Sequence, residues 1–140
     1  MEIDLPDVVA EVTAEFERYE KAVVDNDVAT LDAMFHDDPR TVRYGVSENL
    51  YGFKSIAAFR QARAPVGLER TLSRTVITTY GRDFAVASTM YRRPSSGGKI
   101  GRQQQTWVRF SFGWRVVAAH VSLIDPPSQS TPSQTGFDPR

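Results

Sequence analysis

Residues 69–124 read ERTLSRTVITTYGRDFAVASTMYRRPSSGGKIGRQQQTWVRFSFGWRVVAAHVSLI. Apolar, β-branched and aromatic residues alternate with polar ones, the pattern of half-buried strands. Gly81-Arg82-Asp83, Pro94-Ser95-Ser96-Gly97-Gly98 and Ser111-Phe112-Gly113 interrupt the alternation with turn-forming residues. Four strands are therefore predicted, over 71–80, 84–93, 101–110 and 114–124. Long strands joined by short turns make an antiparallel meander. Alternation along the last strand places Trp114, Val116, Ala118, His120 and Ser122 on one face and Arg115, Val117, Ala119, Val121 and Leu123 on the other. On its neighbour, Gln103, Gln105, Trp107 and Arg109 oppose Arg102, Gln104, Thr106 and Val108. Which face lines a cavity is left open by the pattern.

Upstream of this block the period changes from two to between three and four. Val8, Val12, Phe16, Tyr19 and Val23 form the apolar stripe of one helix, Asp4–Asp25, with Pro6 in its first turn. Asn26-Asp27 ends it and caps a second helix, Val28–Phe35, whose Leu31, Met34 and Phe35 point inward. Thr41–Tyr44 reads as a short strand with Arg43 opposite Val42 and Tyr44, and 45–52 as a loop. Phe53–Arg63 reads as a third helix with Ile56, Phe59 and Ala62 toward the core, closed by Pro65 and Gly67. Three helices on one face of an antiparallel sheet define an α+β domain spanning 1–124. Residues 125–140, rich in Pro, Ser, Gln and Thr, read as a disordered tail.

The formal net charge of zero conceals a division. Residues 1–69 carry fourteen acidic and seven basic side chains, whereas 70–124 carry eight Arg, Lys99 and a single acid, Asp83. An acidic helical layer thus faces a basic sheet, an arrangement suited to a pocket for a small anion. Arg outnumbers Lys 14 to 3, which fits anion recognition and equally fits the codon bias of a GC-rich genome. The absence of cysteine excludes disulfides, thiolate catalysis and cysteine-ligated zinc, and two distant histidines argue against a metal centre. No phosphate-binding glycine loop and no dinucleotide fingerprint is present. The acidic helices cancel the long-range field that nucleic acid would need. Neither a membrane-spanning run nor a signal peptide is evident, so a cytoplasmic protein with no membrane association is expected.

Chemistry is sought where a titratable group meets an opposite charge. The pair singled out is Tyr19 with Arg43. A nearby guanidinium favours a phenolate, and it also grips a carboxylate at two points. The bland alternative, with Tyr19 as plain core and Arg43 bonded to a helix carboxylate, stays open on pattern alone. Arg102, Gln105, His120 and Ser122 are further substrate-binding candidates, although polar rows also face solvent and a histidine on an otherwise apolar strand is commonly a core residue. The four long strands contain no Asp or Glu. That argues against proton abstraction by a sheet carboxylate.

Three helices and a meander ending in Trp114-Arg115-Val116-Val117-Ala118-Ala119-His120-Val121-Ser122 resemble the SnoaL-like branch of the nuclear-transport-factor-2-like superfamily. Arg18-Tyr19-Glu20-Lys21-Ala22, Thr41-Val42-Arg43-Tyr44-Gly45, Glu48-Asn49-Leu50-Tyr51-Gly52, Thr75-Val76-Ile77-Thr78-Thr79-Tyr80-Gly81 and Gly101-Arg102-Gln103 resemble, more narrowly, the AtzH-like and HpxZ-like family. Its members sit in bacterial pathways degrading cyanuric acid or oxalurate. The resemblance implies a cone-shaped curved sheet with a pocket, commonly assembled as a homodimer through that sheet. On the AtzH side it implies a cofactor-free, metal-free decarboxylating amidohydrolase acting on small carboxylated ureas. The family's catalytic tyrosine and arginine match Tyr19 and Arg43. A non-catalytic anion binder, or an accessory protein of a neighbouring amidohydrolase, is the alternative.

Overall fold

The computed structural model describes residues 1–127; the expected disordered tail therefore lies, from 128 onward, outside the described residues. Three helices, α1 (Pro6–Asp25), α2 (Val28–Met34) and α3 (Phe53–Ala62), accompany six strands. These are β1 (Val42–Tyr44), β2 (Asn49–Tyr51), β3 (Thr71–Tyr80), β4 (Phe84–Arg92), β5 (Ile100–Phe110) and β6 (Gly113–Ile124). They build one sheet in the order β2-β1-β6-β5-β4-β3. The meander from β3 to β6 is antiparallel as expected. Two features differ from the expectation. Residues 49–51, read as loop, pair with β1, and β1 joins β6 in parallel, so the sheet is mixed. A three-residue strand is too short to display a period, and a parallel neighbour leaves no mark on local sequence.

The first helix begins two residues later than its charge pattern suggests. The residue before a proline avoids the helical region, and Leu5 is extended (φ −58°, ψ 125°). Asp4 takes the left-handed conformation, and its carboxylate accepts from the Thr79 amide at 2.9 Å, pinning the amino-terminal segment to β3. From Pro6 the stripe Val8, Val12, Phe16, Tyr19 and Val23 is buried, and it packs with Trp107, Val116, Ala85 and Ala87. Trp114 Nε1 donates to Glu11 at 2.9 Å, a second tie between α1 and the sheet. The helix stops at Asn26, again left-handed, and Asp27 then caps α2 by accepting from the Thr30 amide. On α3 the buried residues are Ile56 and Arg60, while Ala62, expected inward, is exposed. The arginine replaces an apolar residue on that stripe because Asp32 of α2 pairs with it at 2.6 Å.

Two β-bulges shape the sheet, since each extra residue bends its strand and sharpens the local twist. In β3 the register shifts between Ser73 and Val76, with Arg74 left-handed at φ 53°. In β6, Thr106 pairs with Ala118 but Trp107 pairs with Val116, which leaves Val117 as the extra residue. That bulge corrects the expected faces. Trp114 and Val116 point inward, but beyond the bulge it is Ala119 and Val121 that are buried, and His120 is exposed. His120 is thus neither a core histidine nor on the face of Trp114.

Tyr91 pairs across the sheet with Gly101, and its ring occupies the space a side chain would fill there. A Cβ on Gly101 would stand 2.1 Å from the Tyr91 ring. Gly101→Ala is expected to displace that ring and to cost about 1–3 kcal/mol, as overpacking does. Urea denaturation of the two proteins measures the difference.

Candidate active site

The inward face of the sheet and the three helices enclose Tyr19. It sits on the buried stripe of α1, 5% exposed, with its ring edge-on to Trp107 (centroids 6.5 Å apart) and tilted against Phe35 (6.2 Å). Its hydroxyl makes no hydrogen bond among the described residues. Arg43 arrives from β1, where it pairs in register with inward-facing Ala119, while Tyr44 pairs with outward-facing His120. The β6 bulge therefore also sets the face of Arg43, because β1 borrows its pleat from β6. The Arg43 side chain is 13% exposed; it donates to Glu48 at 3.2 Å and lies over the Phe59 ring at 5.7 Å. Tyr19, Arg43, Arg60 and Arg63 line one enclosed cavity with Val23, Leu31, Ile56 and Phe59. Its volume is about 10 Å³, room for about one water molecule.

The carboxylate beside Arg43 belongs to the loop before β2 and not to a helix, as the bland alternative had supposed. Arg60 pairs with Asp32 and stacks over Phe35 at 4.7 Å. Arg70 pairs with both oxygens of Glu20, the residue after Tyr19, and also donates to Gln103 at 3.0 Å. Arg43, Arg60 and Arg63 thus line the cavity with the tyrosine, while Arg70 and Arg93 flank the Tyr91 ring. Sequence reading found one of them. Arg60 and Arg63 follow Ile56 by four and seven residues, a helical spacing that marks the inward face once buried arginine is allowed on it. Arg70 and Arg93 stand at loop ends and carry no such signal.

Gln105 faces the same interior at 1% exposure. Its carbonyl accepts from Trp107 Nε1 at 3.2 Å, and its Nε2 has no partner, a buried donor beneath the tyrosine's ring neighbour. Arg102, His120 and Ser122 are not brought to Tyr19. They line a shallow hollow of about 430 Å³ on the outer face of the sheet, where Arg102 Nε donates to Ser122 at 3.2 Å. A third hollow, about 500 Å³, lies between His36, Phe53, Phe112 and Arg115. Both are roomier than the Tyr19 cavity, yet each is an open surface depression, whereas the interior site combines burial with converging charge. Among the described residues no group of three or more His, Asp or Glu could hold a metal ion. No helix among them is long and apolar enough to cross a membrane.

Three helices on one face of a curved mixed sheet, around a small polar interior, define the cystatin-like α+β cone of the nuclear-transport-factor-2-like proteins. A nuclear-transport-factor-2-like superfamily protein from Salmonella enterica superposes on 89% of this chain and 96% of its own at a TM-score of 0.67 and 24% identity. That likeness shows the fold. Within it, the chain belongs to the AtzH-like family, whose model matches residues 1–127. A DUF3225-family protein of unknown function from Pectobacterium atrosepticum is 60% identical over 88% of this chain and 95% of its own (TM-score 0.85). A cystatin-like fold protein from Burkholderia xenovorans is 48% identical over 91% and 99% (TM-score 0.87). No curated protein matches.

Proposed function

We propose that this chain is a cofactor-independent decarboxylating amidohydrolase acting on a small carboxylated urea or ureido acid in nitrogen-compound catabolism, of cyanuric acid or of oxalurate. The observation that carries this reading is that a phenol and a guanidinium, Tyr19 and Arg43, line one small interior cavity. Family membership supports it. Arg43 grips a carboxylate or the urea oxygen with its planar fork. On an N-carboxylated urea, the Tyr19 hydroxyl delivers a proton to the urea nitrogen while the bond from that nitrogen to its carboxylate carbon breaks. The electron pair stays on nitrogen, carbon dioxide leaves, and the phenolate recovers its proton from water. Expulsion of bulk water strengthens each of these contacts.

A ligand of this size enters only if lining side chains move aside, because the cavity holds about one water. The same small volume favours the second reading, an anion sensor or an accessory protein of a neighbouring amidohydrolase. Incubation with allophanate, oxalurate and N-carboxylated ureas separates the two: the enzyme releases carbon dioxide or ammonia, whereas the binder shows only thermal stabilisation.

We also propose a cytoplasmic homodimer that pairs through the outer sheet face. Val76 lines the Arg102–Ser122 hollow, Tyr44 lies edge-on to His120 at its border, and Phe84 is exposed further along the same face. On that reading Arg102, His120 and Ser122 serve assembly and not catalysis. Sedimentation equilibrium is expected to give twice the chain mass, and Val76→Glu is expected to yield monomer.

A further inference from the structure

Charge at the interior site does not balance. Glu48, Asp32 and Glu20 pair with Arg43, Arg60 and Arg70, one carboxylate to each guanidinium. Arg63 and Arg93 have no ion pair among the described residues. Arg63 reaches only the Asn26 amide oxygen, at 3.3 Å, and Arg93 lies over the Tyr91 ring at 5.2 Å, beside Arg70 on the same ring at 4.6 Å. The Nε of each is buried without a hydrogen-bond partner. Native proteins leave few such donors, and each calls for an explanation.

The two residues come from different loops that are tied together. Arg63 ends α3, Arg93 follows β4, and Ser95 Oγ donates to the Gly67 carbonyl at 2.9 Å across the gap between the loops. Burial above all holds the Arg63 guanidinium below its ordinary pKa; Arg60, Arg43 and Arg93 add to this and Tyr19 opposes it. Burial likewise lowers Arg93, with Arg70 adding and with Tyr91, Glu20 and Tyr19 opposing. Two half-buried cations held next to further cations repel them. An anion placed between them would remove the repulsion and satisfy both donors.

We propose that Arg63 and Arg93 form an oxyanion subsite beside Tyr19, separate from Arg43, that takes a second carboxylate of the ligand or a small free oxyanion in its place. The proposal deepens the function above and rests on it.

The test is calorimetric titration and thermal shift of the full chain with malonate (two carboxylates), acetate (one) and urea (none). Arg63→Gln and Arg93→Gln are each expected to weaken malonate binding at least tenfold while leaving the melting temperature without anion unchanged or higher. Arg18→Gln on the exposed side of α1 makes the same change in net charge and is expected to alter neither. Should a glutamine variant fail to fold, Arg63→Lys keeps the charge, removes the fork and is expected to show a smaller loss of the same sign. Acetate binding at two sites, one of them lost in the variants, identifies a free oxyanion as the occupant; a loss confined to malonate identifies the second carboxylate of one ligand. Malonate binding unchanged in both glutamine variants but lost in Arg43→Gln overturns the subsite alone. A wild type that responds to neither anion overturns the subsite and the anion clamp together.

Discussion

Tyr19→Phe is expected to lower turnover of a confirmed carboxylated urea by about 10²–10⁴-fold, the range contributed by a positioned general acid. Stability is expected to hold, because the deleted hydroxyl has no hydrogen-bond partner among the described residues and its removal strands no donor or acceptor. The phenyl ring keeps the contacts with Trp107 and Phe35. Malonate-induced stabilisation is expected to persist as well, since the guanidiniums that bind anions are untouched. Single-turnover assay, thermal melting and anion titration on the same preparation separate these three quantities. Full turnover in the phenylalanine variant removes proton delivery by Tyr19 from the mechanism. A loss of folding along with activity assigns Tyr19 to the core.

The second large effect concerns the neighbouring residue. Glu20 accepts from Arg70, whose side chain is 4% exposed, and from the Gln103 amide at 3.4 Å. Removing one member of a buried ion pair leaves the other as an uncompensated charge, at a cost of about 3–5 kcal/mol. Glu20→Ala would also enlarge an existing imbalance, since Arg93 stands over the same Tyr91 ring. The expected drop in melting temperature is on the order of 10 °C. Glu20→Leu with Arg70→Met removes both charges and is expected to recover most of that loss, because apolar replacement of a buried pair is commonly neutral or stabilising. Denaturant titration of the single and double variants closes the cycle. A single variant that loses less than about 1 kcal/mol, the ceiling for exposed pairs, would show that solvent reaches Arg70. The contrast with Arg63 follows from the same electrostatics: losing Glu20 creates a stranded cation, whereas losing Arg63 removes one.

These effects trace back to features of unequal visibility in the chain. The α1 stripe and the four long strands repeat over enough residues for burial to impress a period on them, and Tyr19 lies on that stripe. Arg43 was readable as inward or outward only relative to its strand, and its strand takes its pleat from β6. A single extra residue, Val117, reverses every side chain after it, and so His120 and Ser122 stand on the face opposite the one their spacing implied. Nothing local to Val117 announces this, because either pleat suits the backbone. The bulge persists because it lets Trp114 and Val116, as well as Ala119 and Val121, reach the interior.

The amino-acid sequence by itself determined the α+β class, the burial of Tyr19, the acid-poor sheet and the absence of thiol chemistry, because these follow from composition and from periods of two and three to four residues. Tertiary structure alone decided which strand face is interior, how Arg43 is partnered, and that Arg63 and Arg93 are half-buried without an ion pair among the described residues. Those outcomes depend on register, on one bulge and on a contact between two loops some 28 residues apart. Long-range placement of charge has no local period, so it becomes legible only when the chain is closed on itself.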